Sequence, residues 1–103
     1  MSEEIAYDFE WDAAKAFSNV RKHSVTFEQA ATVFLDVLAL TVFDVEHSQF
    51  EERWFTLGID ANGVLLAVAH TYEATTRERI RVRLMSARTA TRRERQFYED
   101  EPR

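Results

Sequence analysis

Residues 53–72 read RWFTLGIDANGVLLAVAHTY, two apolar runs rich in β-branched and aromatic residues on either side of Asn62-Gly63. Such runs favour strands, and Asn-Gly between them is a strong hairpin signal because both residues tolerate the positive φ of a type I′ turn. Arg53–Asp60 and Val64–Tyr72 are therefore expected to be antiparallel neighbours. Val64–Ala69 is apolar on both parities, which predicts a central strand covered on both faces.

Working outward, Ala39–Phe43 and Arg79–Ser86 carry the same chemistry and complete an expected antiparallel sheet of about four strands. Tyr7–Trp11 alternates aromatic with acidic residues, as a short edge strand does. Asp12 sits where an N-cap belongs, and Ala13, Ala16, Phe17 and Val20 repeat at helical spacing to about Lys22. His23 and Ser24 form the turn into a second helix, capped by Thr26, with Phe27, Ala30, Ala31 and Phe34 on one face. Thr91 and Glu94 are spaced as the capping box of a closing helix. Two N-terminal helices, an antiparallel sheet and a C-terminal helix make an α+β domain.

The chain has 103 residues, enough for one domain, expected to span 1–103 with its core at 5–98 and a short acidic tail. Apolar residues are 46% and charged residues 30%, with one Pro and two Gly, which excludes disordered and linker-dominated classes. There is no Cys, so thiolate metal sites, disulfide frameworks and Cys nucleophiles are excluded and a cytoplasmic location is expected. No apolar run approaches the length of a membrane span and the amino terminus is acidic, so neither a membrane protein nor a secreted precursor is expected. Two separated glycines cannot build a phosphate-cradling loop, and His23, His47 and His70 lack paired metal spacing, so no cofactor and no metal are expected.

Net charge is −5, yet residues 1–60 hold twelve Asp/Glu against four Lys/Arg, whereas residues 77–95 hold eight Arg against Glu78 and Glu94. Arg79, Arg81 and Arg83 alternate with Ile80, Val82 and Leu84, which places three guanidinium groups on one strand face about 6.8 Å apart. Arg88 follows, and Arg92 and Arg95 project from the closing helix. Guanidinium forks match phosphate oxygens, so the ladder suits a polyanion; a solvated face with cross-strand carboxylate partners is the alternative. On the first helix Lys15, Asn19 and Lys22 form a polar stripe expected to lie away from Ala13, Phe17 and Val20, with His23 at its end. His47, among acidic residues, reads as a surface-loop residue, and His70 as a satisfied strand histidine.

Three blocks in order carry a resemblance. They are FEWDAAKAFSNVRKHSVTFEQAATVFLD at residues 9–36, then Asp44 with His47-Ser48 and Glu52-Arg53, then RLMSARTATRRERQFYE at residues 83–99. Together they resemble the BrnT toxins of bacterial type II toxin–antitoxin systems, which are similar in fold to the RelE ribonucleases. Phe9, Trp11, Asp12, Lys15, Asn19, Lys22, His23, Val25 and Phe27 fall on the family pattern, as do Ser86-Ala87-Arg88, Glu94 and Tyr98. Ser24 departs from it, standing where the family has Gly at a left-handed position, and Val45 stands where Pro is common.

The resemblance implies a RelE-like endoribonuclease that inhibits translation until a DNA-binding antitoxin of the BrnA kind sequesters it in a hetero-oligomer. With no Cys and no paired His spacing to hold a divalent metal, the cleavage expected is metal-independent, with the ribose 2′-hydroxyl attacking the adjacent phosphate. His23 or Lys22 would then move protons, Arg83 and Arg88 would stabilise charge, and Tyr98 would stack on a base or relay a proton. Lys15, Arg81 and Arg92 would be further RNA contacts. The rival reading is a non-catalytic binding module, or a degenerate toxin that acts only as antitoxin partner and co-repressor.

Overall fold

The computed structural model describes residues 5–102, so the outermost residues of the expected 1–103 domain lie outside the described residues. The elements run β1 (Ala6–Glu10), α1 (Ala13–His23), α2 (Phe27–Ala31) with a 3₁₀ turn (Thr32–Leu35), β2 (Leu40–Phe43) and β3 (Trp54–Ile59). They continue as β4 (Leu65–His70), β5 (Glu73–Ala74), β6 (Arg79–Thr89) and α3 (Arg92–Asp100). The α+β class and three helices match expectation, and α3 extends two residues past the anticipated core.

The sheet is larger than expected and mixed. Its order is β1-β6-β4-β3-β2, with β5 also paired to β6. β1 is an edge strand, but it runs parallel to β6, from Ala6 opposite Arg79 to Glu10 opposite Arg83. The four-stranded antiparallel expectation is corrected for a physical reason: a pairing between residues more than seventy positions apart leaves no local turn signal to read. Central β4 is buried at all six positions.

The β3–β4 connection also differs from a two-residue I′ turn. Gly63 N–H bonds the Asp60 carbonyl at 3.1 Å and Asp60 N–H bonds the Val64 carbonyl at 2.9 Å, giving a three-residue loop with Gly63 alone at positive φ, +83°. The Asp60 carboxylate accepts from the backbone N–H groups of Asn62 and Val64, which holds the turn without a left-handed Asn62. Within β3, Gly58 is a close-approach glycine: a Cβ there would lie 2.6 Å from Val33 Cγ1 beneath the 3₁₀ turn.

Each sheet face carries its own core. On one, Val25, Phe27, Ala30 and Val33 pack on Leu66, Val68, Val82, Leu84 and Ala87. On the other, Tyr98 of α3 packs on Leu57, Leu65 and Ala67. All three helix caps read from sequence form: Asp12 accepts from Ala14 and Lys15, Thr26 exchanges bonds with Gln29, and Thr91 with Glu94. Ser24 takes the left-handed conformation expected of it, φ 58° and ψ 30°, with its N–H bonded to the Val20 carbonyl. A non-Gly residue there costs up to about 1 kcal/mol.

The face of α1 that packs is rotated from the one its apolar spacing predicts, although Ala16 still meets the core. Asn19 is buried, whereas Phe17 and Val20 are 67% and 43% exposed. β1 ends at Glu10, opposite Arg83, so the outer edge of β6 beyond that point has no strand partner. α1 covers it instead: Asn19 Nδ2 donates to the carbonyls of Ala87 (2.7 Å) and Val25 (3.0 Å), and Oδ1 accepts from Ala87 N–H (3.0 Å). A carboxamide offers the donor and the acceptor that an open strand edge requires.

Candidate active site

The arginines of β6 share a face because of a bulge. The β4–β6 register slips between Ala69, opposite Ser86, and His70, opposite Leu84, leaving Met85 unpaired. The extra residue shifts the parity, so Arg88, opposite Ala67, joins the face of Arg83 rather than that of Val82 and Leu84. Period-two spacing alone would have put Arg88 in the core under α2.

The ladder is not a bare cationic surface. Arg79 Nε donates to Asp8 at 2.9 Å; Arg81 donates to Glu73 at 3.3 Å and lies 3.8 Å from Glu10; Arg83 Nη2 donates to both Glu51 oxygens at 2.6 and 2.5 Å. Cross-strand Glu partners occur at Arg81 alone; Arg79 meets an Asp and Arg83 a loop Glu. The Arg79 guanidinium, by hydrogen bonding and charge, holds the Asp8 carboxyl below the usual carboxylate range. Arg88 is held in a two-pronged pair with Glu94 at 2.7 and 2.9 Å, and that hydrogen bond dominates in lowering the Glu94 pKa to about 2. Arg81 and Arg83 line one depression with Glu10, Glu51, Glu52, Thr71, Tyr72 and Glu73.

A second depression, about 230 Å³ in volume, gathers groups from four elements and the acidic loop. Lys15 enters from α1, Asp44 and His47 from the β2–β3 loop, Arg53 and Phe55 from the start of β3, Ala69 from β4, and Met85 and Ser86 from the bulge in β6. Asp44 is buried and its Oδ2 lies 2.9 Å from His47 Nδ1. A carboxylate can only accept, so Nδ1 carries the proton and Nε2 is the basic nitrogen. The loop is pinned beneath this pair: Ser48 Oγ donates to the Asp44 carbonyl and accepts from Arg53 N–H, and Asp44 N–H bonds the Arg53 carbonyl at 2.8 Å. Arg53 Nε is buried without a hydrogen bond, and Arg53 Nη2 lies 3.9 Å from Glu51, the residue that engages Arg83.

The other sequence candidates lie apart from this depression. Lys22 lines a different one with Phe17, Ser18 and Arg21, and His23 is exposed at the C-terminal end of α1. Arg92 is exposed at the start of α3. Tyr98 is buried in the α3 core and its hydroxyl donates to Asp36 at 2.6 Å. The sequence reading gives no role to the His47–Asp44 pair or to Arg53; the available signal is the spacing Asp44…His47-Ser48…Arg53, which there serves only the family resemblance. His70 is fully buried and satisfied: its Nδ1 lies 2.7 Å from the Thr71 carbonyl, and its Nε2 2.7 Å from Thr56 Oγ1, which in turn meets Thr41. Burial holds its pKa below the ordinary histidine value.

A mixed sheet with a helix-covered core on each face makes this a small α+β protein, in which Lys15, Arg53 and a carboxylate-held imidazole line one depression at a strand bulge. Residues 11–94 match the family model described as the ribonuclease toxin, BrnT, of type II toxin–antitoxin systems, and the chain belongs to that family. Family membership implies an RNA target and an antitoxin partner. No curated protein matches the sequence.

Proposed function

We propose that this chain is a metal-independent endoribonuclease of RelE-like fold. It acts in the cytoplasm to inhibit translation and is neutralised by a BrnA-like, DNA-binding antitoxin. The observation that supports this most directly is the depression in which His47, oriented by Asp44, faces Lys15, Arg53 and Ser86. Metal-free RNA cleavage needs a group to take the 2′-hydroxyl proton, one to protonate the leaving 5′-oxygen, and cations for the charge that develops on phosphorus. In this reading His47 Nε2 takes the proton in place of His23. Lys15 and the Arg53 guanidinium contact the phosphate, and the Lys15 ammonium also gives the leaving 5′-oxygen its proton.

Arg83 and Arg81 extend the path into the neighbouring depression, where a phosphate takes the place of the Glu51 carboxylate on Arg83. Arg88 and Tyr98 act here through the fold, since Glu94 and Asp36 engage them. Lys22, His23 and Arg92 are outlying contacts.

The test is cleavage of RNA by purified protein. His47→Ala should slow it by about 10²- to 10⁴-fold while His23→Ala stays near the parent rate. Cleavage should persist in excess chelator, leave a 2′,3′-cyclic phosphate, and vanish when the nucleotide 5′ to the cut is 2′-deoxy. Chelator-sensitive cleavage, or full activity in His47→Ala, overturns the mechanism. One observation favours the non-catalytic reading: carboxylates already pair Arg79, Arg81, Arg83 and Arg88. That reading requires expression of the chain alone to leave growth unaffected.

A further inference from the structure

The rotated packing of α1 leaves an outward face that the fold does not use. Phe17 and Val20, three residues apart and on one side, are 67% and 43% exposed, and Ala13 lies one turn before Phe17. Arg21 sits over the Phe17 ring at 5.9 Å. Phe17, Ser18, Arg21 and Lys22 line a depression of about 390 Å³. Apolar side chains at i and i+3, with a third a turn before, match the spacing by which one helix seats on another.

The charge of this face singles it out. Residues 13–23 contain Lys15, Arg21, Lys22 and His23 and no Asp or Glu, in a chain whose net charge is −5. The β6 arginines have intramolecular carboxylates, whereas no ion pair holds Arg21 or Lys22 among the described residues. Exposed apolar residues rimmed by unpaired cations suit a partner that brings apolar residues flanked by carboxylates.

We infer that the outer face of α1, centred on Phe17 and Val20 and rimmed by Arg21 and Lys22, is the docking surface for an acidic amphipathic helix of the antitoxin. This rests on the reading of the chain as one half of a toxin–antitoxin pair, and it says where that pair meets. RNA is the less suitable occupant. The His47 imidazole and Arg53, the groups read as acting on it, line the other depression.

The experiment measures two affinities for each protein: for the purified cognate antitoxin by calorimetry, and for an uncleavable RNA carrying a 2′-deoxy nucleotide at the cut. Phe17→Ser should weaken antitoxin binding about 30-fold or more, as the loss of a central aromatic anchor does, and Arg21→Glu should weaken it further as salt is lowered. Phe97→Ser, at a half-exposed phenylalanine on α3, should leave it unchanged. Val20→Ser provides a second probe should Phe17→Ser fold poorly, and melting curves identify that case. Antitoxin affinity unchanged in Phe17→Ser and Val20→Ser overturns the proposal, as does a loss confined to RNA affinity, which would make the face an RNA surface. A parent protein that binds no antitoxin overturns instead the toxin–antitoxin reading beneath it.

Discussion

Replacing Asn19 with Ala tests the central claim about how α1 is held. The carboxamide makes three buried hydrogen bonds, to Ala87 N–H, the Ala87 carbonyl and the Val25 carbonyl. An unsatisfied buried polar group costs about 1–3 kcal/mol, so three of them, with partial relief from entering water, come to roughly 3–5 kcal/mol. Alanine returns about 0.6 kcal/mol of helix propensity. The net loss of about 3 kcal/mol is a large part of the 5–15 kcal/mol typical of a domain of about this size. With a urea slope of about 1–3 kcal/mol per molar, the midpoint should fall by about 1.5 M, followed through the fluorescence of Trp11 and Trp54. Asn19→Asp sharpens the test. It keeps an acceptor for Ala87 N–H but turns a carboxylate toward two carbonyls, so at neutral pH it should be at least as damaging as alanine. A midpoint within about 0.3 M of the parent in Asn19→Ala would refute the edge-sealing role.

Three further outcomes follow from the polar contacts. Because burial depresses the His70 pKa in the folded state, the unfolded chain binds more protons below 6.5, so stability should be full above that pH and fall as acid is added; His70→Gln should flatten this dependence, and an identical slope would contradict it. Glu94 has the same sign: its contribution is present above 4.5 and lost toward about 2, and after discounting for the exposure of Arg88, Glu94→Gln should cost about 1–2 kcal/mol in urea unfolding at neutral pH. Glu51→Gln releases Arg83 for phosphate, so affinity for uncleavable RNA should rise several-fold at low salt, whereas Asp8→Asn beside the more distant Arg79 should leave it unchanged.

Local chemistry was legible in the sequence wherever residues close together decide it. Asp12 and the Thr91–Glu94 box cap helices because side chain and backbone lie within three positions. The apolar run at Val64–Ala69 declares a strand buried on both faces, and β4 is that strand. Segregated charge showed that β6 carries the arginines, and the three blocks of residues identified the family. Contacts across the chain belonged to the tertiary structure. The parallel pairing of β1 with β6 left an open strand edge, and that edge drew Asn19 inward and turned Phe17 and Val20 out, rotating the face that α1 presents. One unpaired residue, Met85, moved Arg88 across the sheet. The placing of His47 and Arg53 beside Lys15 required the acidic loop to fold back over β3 and β6, and period and spacing within any one element carry no record of that.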